Sequence, residues 1–258
     1  MAKIIGVANQ KGGVGKTTTV VNLAAGLAHE GKKVLVADMD SQANTTSGFG
    51  IDKKRLEKSV YQVLIGSHEV KDVLMTPRER IDLLPAKTEL IGAEVELVNA
   101  PGRETRLKNA LAGIRDNYDF VLIDTPPSLG MLTINSLVAA EEILIPLQCE
   151  YYALEGVGQL LYTIKLIKSG LNPGLEICGV LLTMFDGRLN LSQQVADEVK
   201  KFFNDKVFNA VIPRNVRLSE APSFGKTIIE YCSWSKGATS YIELAQELIK
   251  KYAVSGKS

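Results

Sequence analysis

The stretch Asn9-Gln10-Lys11-Gly12-Gly13-Val14-Gly15-Lys16-Thr17-Thr18 decides the fold. It follows a short apolar run at residues 4–8 and opens a segment of helical character at 17–30. Glycines at 12, 13 and 15 let the backbone curl tightly and turn its N–H groups inward. With the positive end of the following helix, those donors make an anion cradle over Gly12, Gly13, Val14 and Gly15. In such a loop Lys16 reaches the β- and γ-phosphates of a nucleotide, the Thr17 hydroxyl ligates Mg²⁺ and Thr18 hydrogen-bonds a phosphate oxygen. The usual spacing, G-x-x-x-x-G-K-[ST], asks for glycine at position 10. Here that residue is Gln10, and a second lysine, Lys11, follows it.

Working outward, apolar β-branched runs recur at 34–37, 81–84, 120–123, 143–147, 177–183 and 210–212. Most are unbroken, the pattern of strands buried on both faces of a parallel sheet. Between them lie helical segments at 88–98, 103–114, 131–140, 154–169, 190–203 and 237–252. The alternation predicts a doubly wound α/β fold, a mostly parallel sheet flanked by helices, in a single domain over residues 1–258 with a frayed tail from 254. Two of the strands end in acids. Phe120-Val121-Leu122-Ile123-Asp124 places a carboxylate able to hold magnesium, through a water, at Asp124. Val34-Leu35-Val36-Ala37-Asp38-Met39-Asp40 places two more at the edge where such sheets bind ligands. One of them can position an attacking water, and spacing does not choose between Asp38 and Asp40.

Composition restricts the remaining classes. The 258 residues are 45% apolar and 23% charged, ordinary for a globular protein. Cys149, Cys178 and Cys232 are widely spaced and form no C-x-x-C pair, which argues against zinc or iron–sulfur frameworks. The odd count, with no signal-like N-terminus, points to a reducing cytoplasm. No stretch reaches the length of a membrane span. Formal net charge is +1, yet residues 165–258 hold 13 Lys/Arg against 9 Asp/Glu, a mild basic bias.

Lys11-Gly12-Gly13-Val14-Gly15-Lys16-Thr17-Thr18, Val36-Ala37-Asp38-Met39-Asp40-Ser41-Gln42-Ala43-Asn44 and Phe120-Val121-Leu122-Ile123-Asp124-Thr125-Pro126-Pro127-Ser128-Leu129-Gly130 together resemble the deviant Walker A ATPases, a branch of the P-loop NTPases. The tail segment Ile212-Pro213-Arg214-Asn215-Val216-Arg217-Leu218-Ser219-Glu220-Ala221-Pro222-Ser223-Phe224-Gly225-Lys226 narrows the resemblance to ParA/Soj-type chromosome-partitioning proteins. That resemblance implies ATP and Mg²⁺ as ligands, slow ATP hydrolysis and an ATP-dependent homodimer that sandwiches two nucleotides. It implies that Lys11 is the signature lysine reaching the partner's phosphates, a role like that of an arginine finger. By the same resemblance Lys16, Thr17 and Thr18 are the loop residues, and Asp40 orients the water and stands beside the metal. Asp124 is the second magnesium carboxylate, and Pro213 and Asn215 contact the nucleoside. The ATP dimer is implied to bind duplex DNA without sequence preference, with Arg188 and Arg217 at contact positions. A ParB-type centromere-binding partner is implied to stimulate hydrolysis, which places the protein on the nucleoid.

Relatives with the same loop differ elsewhere. A MinD-like membrane-associated positioning ATPase carries a C-terminal amphipathic membrane helix. Here Tyr241, Leu244, Leu248 and Ile249 share a face while acids interrupt the rest, so the segment is expected to pack on the core and no membrane partner is expected. Iron–sulfur relatives need cysteine pairs or bridging cysteines. Plasmid-type relatives place a helix-turn-helix before the loop, so sequence-specific operator binding is not expected with the loop at residue 11. Partitioning of a non-DNA cargo by the same machinery is the other alternative.

Overall fold

The computed structural model describes residues 1–150 and 155–255. In chain order the strands are β1 (Lys3–Val7), β2 (Val34–Asp38), β3 (Met75–Arg78), β4 (Ile81–Leu84), β5 (Phe120–Asp124), β6 (Glu142–Gln148) and β7 (Glu176–Thr183). They form one seven-stranded sheet in the order β3-β4-β2-β5-β1-β6-β7. Every pairing is parallel except β3 with β4. The helices are α1 (Lys16–His29), α2 (Asn44–Gly48), α3 (Val60–Leu64), α4 (Leu90–Glu96), α5 (Arg106–Ala112) and α6 (Met131–Ala139), followed by α7 (Glu155–Gly170), α8 (Asn190–Phe203), α9 (Val216–Glu220), α10 (Ile228–Cys232) and α11 (Lys236–Ser255).

The unbroken apolar runs have a direct cause. Alternate side chains of a strand point to opposite faces. Ile5, Val34, Val36, Phe120 and Leu122 pack on one face with Leu23 and Leu27 of α1 and Tyr241, Leu244 and Leu248 of α11. Ile4, Leu35, Ala37, Val121 and Ile123 pack on the other, under α3 to α6. Ile143, Ile145, Val180 and Leu182 meet α7 and α8 in a third cluster. Both faces are therefore covered, and α11 buries its apolar side in the core as its sequence predicts. Among the described residues no helix is long and apolar enough to cross a membrane.

Three differences from the sequence reading have local causes. Residues 210–212, expected as a strand, do not join the sheet. The backbone N–H groups of Asn209 and Ala210 donate instead to the Glu247 carboxylate of α11 (2.9 and 3.0 Å), so the segment meets β7 through the single bond from Ile212 N to the Leu182 carbonyl (2.9 Å) and forms no continuous ladder. β3 is an additional, antiparallel edge strand. It carries Pro77, which only an edge tolerates. The five-residue helices α2, α3, α9 and α10 are too short to show a helical period. Helix α11 runs through Ser255; residues 256–258 of the tail expected to fray, and residue 154 of the helix expected at 154–169, lie outside the described residues.

Strand register positions the site. Val7 pairs with Asp124, and Asp124 with Asp38. The carboxyl ends of β1, β5 and β2 thus stand level, so the glycine loop after β1 and the acids closing β5 and β2 share one edge.

Candidate nucleotide site and basic face

The loop between β1 and α1 is built by its own side chains. Asn9 Nδ2 donates to the Pro146 carbonyl (2.8 Å), and Lys11 N donates to Asn9 Oδ1 (3.0 Å). Gly13 and Gly15 have φ of +74° and +90°, the left-handed region that side chains with a Cβ avoid. Thr183 of β7 donates to the Val14 carbonyl (2.9 Å) and fixes the loop from the far side. A Cβ placed on Gly12 or Gly13 meets nothing within 4 Å, so open space faces the cradle. That space fits a phosphate chain.

Lys16 is buried, and its Nζ donates to the Lys11 carbonyl (3.3 Å). Burial lowers its pKa, while the charges of Asp124 and then Asp40 pull it upward. Asp124 is fully buried. Its Oδ2 accepts from Thr17 Oγ1 (2.8 Å) and Thr45 Oγ1 (2.7 Å), and its Oδ1 has no partner. Burial pushes the carboxyl above its ordinary pKa, and the two threonine hydroxyls oppose that shift. A buried oxygen without a donor beside a threonine hydroxyl is an unfinished arrangement, because buried polar atoms are normally paired. A divalent cation fits there: magnesium takes oxygen ligands, few of them from protein, together with substrate phosphates.

Asp38 and Asp40, which the sequence leaves as alternatives, have different surroundings. Asp38 is fully buried and is spent on structure. Its Oδ2 accepts from Thr46 N (2.9 Å) and Thr46 Oγ1 (2.7 Å), and its Oδ1 accepts from Asp40 N (3.2 Å). Burial, and next the charge of Asp124, raise its pKa. Among the described residues the Asp40 carboxylate accepts only from Gln42 N (2.9 Å), and its charge acts on both Lys16 and Asp124. Asp40 is therefore the acid with capacity left toward the loop.

Lys11 sits at the rim, 3.4 Å from Glu150 at the end of β6. Pro213 and Asn215 line a cavity of ≈ 430 Å³ with Gly15, Thr18, Met184 and Tyr241, beside the loop, where a nucleoside can continue from the phosphates. Arg188 and Arg217 lie outside this cavity on neighbouring segments, joined by the bridge between Phe185 and Pro213. Each is held by a carboxylate. Arg188 makes two bonds to Asp186 (2.8 and 2.6 Å), and these hold the Asp186 carboxyl down to about 2. Arg217 NH1 donates to Glu220 (2.8 Å).

Sequence reasoning missed Thr45, Thr46, Glu150 and Glu220. The threonine pair followed the quoted acid segment directly and carried a signal, two adjacent hydroxyls beside buried acids. The two glutamates carried none, because their meaning depends on which cation the fold brings near.

A glycine cradle at the carboxyl edge of a parallel sheet, closed by a lysine and by a hydroxyl bound to a strand-end acid, defines a P-loop nucleoside triphosphatase. Comparison with known proteins narrows the class. A family described as an AAA domain matches residues 2–177. The sporulation initiation inhibitor protein Soj of Bacillus subtilis is 57% identical over 249 residues, covering 96% of this chain and 98% of that protein. The chromosome-partitioning ATPase Soj of Treponema pallidum is 50% identical over 252 residues, covering 97% and 98%. Among solved structures, cobyrinic acid a,c-diamide synthase of Mycobacterium smegmatis, with bound ATP analogue and magnesium, superimposes with a TM-score of 0.87 at 40% identity, covering 98% of this chain and 96% of that one. The chain belongs to the Soj/ParA family of chromosome-partitioning ATPases.

Proposed function

We propose that this chain is an ATP-driven switch for DNA partitioning. ATP is the substrate, and Thr17 and Asp124 would hold Mg²⁺, which would shield the phosphate charge. Lys16 and the loop N–H groups bind the phosphates, and Asp40 orients the attacking water. Pro213 and Asn215 contact the nucleoside. Lys11 leaves Glu150 and reaches the phosphates held by a second copy, so nucleotide binding is also the dimerisation signal. The dimer brings two copies of the Arg188 and Arg217 segments to one duplex, which raises affinity through effective concentration. A ParB-type partner stimulates hydrolysis and so releases the protein from the nucleoid.

The observation that carries this reading is the Thr17–Asp124–Thr45 arrangement, with its unpartnered Asp124 Oδ1 beside the open glycine cradle and Lys16. The test is a salt titration of binding to arbitrary duplex DNA without nucleotide, with ADP and with ATP. ATP-dependent binding that ignores sequence is expected. If each arginine of a dimer meets one phosphate, the log–log salt slope is about −3.6. Arg188→Glu and Arg217→Glu should abolish binding while ATP-dependent dimerisation persists. Unchanged DNA affinity in both variants would move the DNA face elsewhere.

A further inference from the structure

We propose that Arg78 is a positioning residue that ties the acid-bearing segment of the nucleotide site to the segment carrying Arg217, so that nucleotide occupancy is transmitted to the basic face. The proposal rests on the DNA-binding reading above.

Arg78 closes the edge strand β3, far from both sites in sequence. Its half-buried guanidinium bridges three places. NH1 donates to the Phe49 carbonyl (3.3 Å), NH2 donates to the Gly225 carbonyl (2.8 Å), and Nε is bonded to the Glu230 carboxylate. Beside it, Gly50 and Gly225 touch backbone to backbone. A Cβ on Gly225 would lie 2.5 Å from Gly50 Cα, and one on Gly50 would lie 2.9 Å from the Gly225 carbonyl oxygen. Both residues have positive φ, so neither position accepts a side chain without strain.

From this junction two arms run to the two sites. Phe49 and Gly50 close α2, and α2 supplies Thr46 to Asp38 and Thr45 to Asp124. A shift of the acids on ligand binding therefore moves α2 as a short rigid piece. On the other arm, Glu230 belongs to α10, whose next residue, Tyr231, donates to Glu220 Oε2 (3.1 Å). That same oxygen accepts from Arg217 NH1. Phe224 stacks on Tyr231 with ring centroids 5.2 Å apart, which ties the end of the Arg217 segment to α10 as well. Arg78 is the side chain that grips both arms. An arginine suits the place, because its planar fork serves several acceptors at once, whereas a lysine ammonium is a single point on a flexible stem.

A purely structural staple would affect stability alone; a coupling residue changes a ratio. The experiment measures the affinity of arbitrary duplex DNA for full-length wild type and Arg78→Met, with a non-hydrolysable ATP analogue and with ADP. ATP affinity and ATP-dependent dimerisation are measured in parallel. Arg78→Met is expected to bind ATP and dimerise as wild type does, while the ATP-to-ADP ratio of DNA affinities falls roughly tenfold, within the usual range of coupling between sites. Arg78→Lys should not restore it, and Gly225→Ala, which forces the two arms apart, should lower it too. By reciprocity, duplex DNA should tighten ATP binding in wild type and no longer do so in Arg78→Met. An unchanged ratio in folded Arg78→Met overturns the inference. So does a loss of ATP affinity in step with the loss of DNA affinity. Should Arg78→Met fail to fold, Arg78→Lys carries the same readout. Wild type that shows no ATP-dependent DNA binding removes the DNA reading and this inference together, whereas wild-type switching with an unchanged variant ratio removes the inference alone.

Discussion

Replacing Thr46 by valine removes one hydroxyl and leaves volume almost unchanged. That hydroxyl donates to Asp38 Oδ2 (2.7 Å) and accepts from Ala86 N (2.9 Å). Asp38, Thr46 and Ala86 are all fully buried, so neither group freed by the substitution finds water. A lost hydrogen bond to a charged group costs about 1.5–3 kcal/mol, and a stranded buried N–H about 1–3 kcal/mol. The expected loss is therefore about 3–5 kcal/mol, at the severe end for one substitution. For a chain of this size about 1 kcal/mol moves Tm by roughly 2–4 °C, so a drop on the order of 10 °C is expected. Thermal and urea unfolding followed by far-UV circular dichroism measures it. Thr46→Ser is the control: it keeps both hydrogen bonds, loses one methyl and should cost about 1 kcal/mol. The functional consequence follows from the same bonds. Asp38 also fixes the backbone N–H of Asp40, so Thr46→Val should turn over ATP more slowly even at temperatures where it is folded. A Thr46→Val protein within about 1 kcal/mol of wild type would refute the argument. So would a serine variant as unstable as the valine one, because packing rather than the hydroxyl would then carry the effect.

Lys16→Ala should lose nucleotide binding, since it removes the buried cation of the loop; calorimetry showing retained ATP affinity would sink the loop assignment. Asp40→Ala should bind ATP, hydrolyse it poorly and accumulate as a dimer, and normal turnover would show that another group orients the water. The Asp186 carboxyl, held down to about 2 by Arg188, should return toward the ordinary carboxylate range in Arg188→Gln, read by carboxyl-carbon NMR. The sign follows from linkage: a depressed folded pKa contributes stability above the unfolded value, and that contribution is lost as pH falls through the folded one. An unmoved Asp186 titration in Arg188→Gln would show that the bidentate pair is not the cause.

The loop and the doubly wound sheet were legible in the sequence because each rests on a local pattern. The glycines need a turn, and strands covered on both faces must be apolar at successive positions, as Val34 to Asp38 and Phe120 to Asp124 show. The register that levels Val7, Asp38 and Asp124 was legible only as a general rule about strand ends. What gives Asp38 and Asp40 different surroundings lies eight residues beyond Asp38, in Thr46, and is visible only once α2 folds back over β2. The strand misread at 210–212 fails for the same kind of reason. Ala210 and Ile212 are buried as expected, but Glu247 from α11 takes the backbone donors of Asn209 and Ala210, and no window along the chain contains both partners. Arg78 lies furthest from sequence reasoning, because beyond its neighbour Pro77 its partners sit 29, 147 and 152 residues away.

On the function proposed above, three cations meet polyanions: Lys11 a second copy's phosphates, Arg188 and Arg217 the duplex backbone. In the isolated chain each already rests on a carboxylate: Glu150, Asp186 and Glu220. These pairs lie at the surface, where an ion pair is worth about 0–1 kcal/mol. They are therefore cheap to break, yet they neutralise each cation and fix its direction until a stronger anion arrives. A polyphosphate or a duplex, with several charges in one place, competes well against a single exposed carboxylate, and a lone anion in solution does not. The same balance explains why doubling matters. One protomer exchanges two weak pairs for two phosphate contacts at little net gain, whereas a dimer makes four contacts for one loss of translational freedom. Glu220→Gln tests that balance directly, because it removes the carboxylate that holds Arg217 and introduces no new cation. It should strengthen DNA binding most in the ADP state, where the carboxylate competes best, and so narrow the difference between nucleotide states. A Glu220→Gln protein that binds DNA no better than wild type in either state would show that the pair does not restrain Arg217.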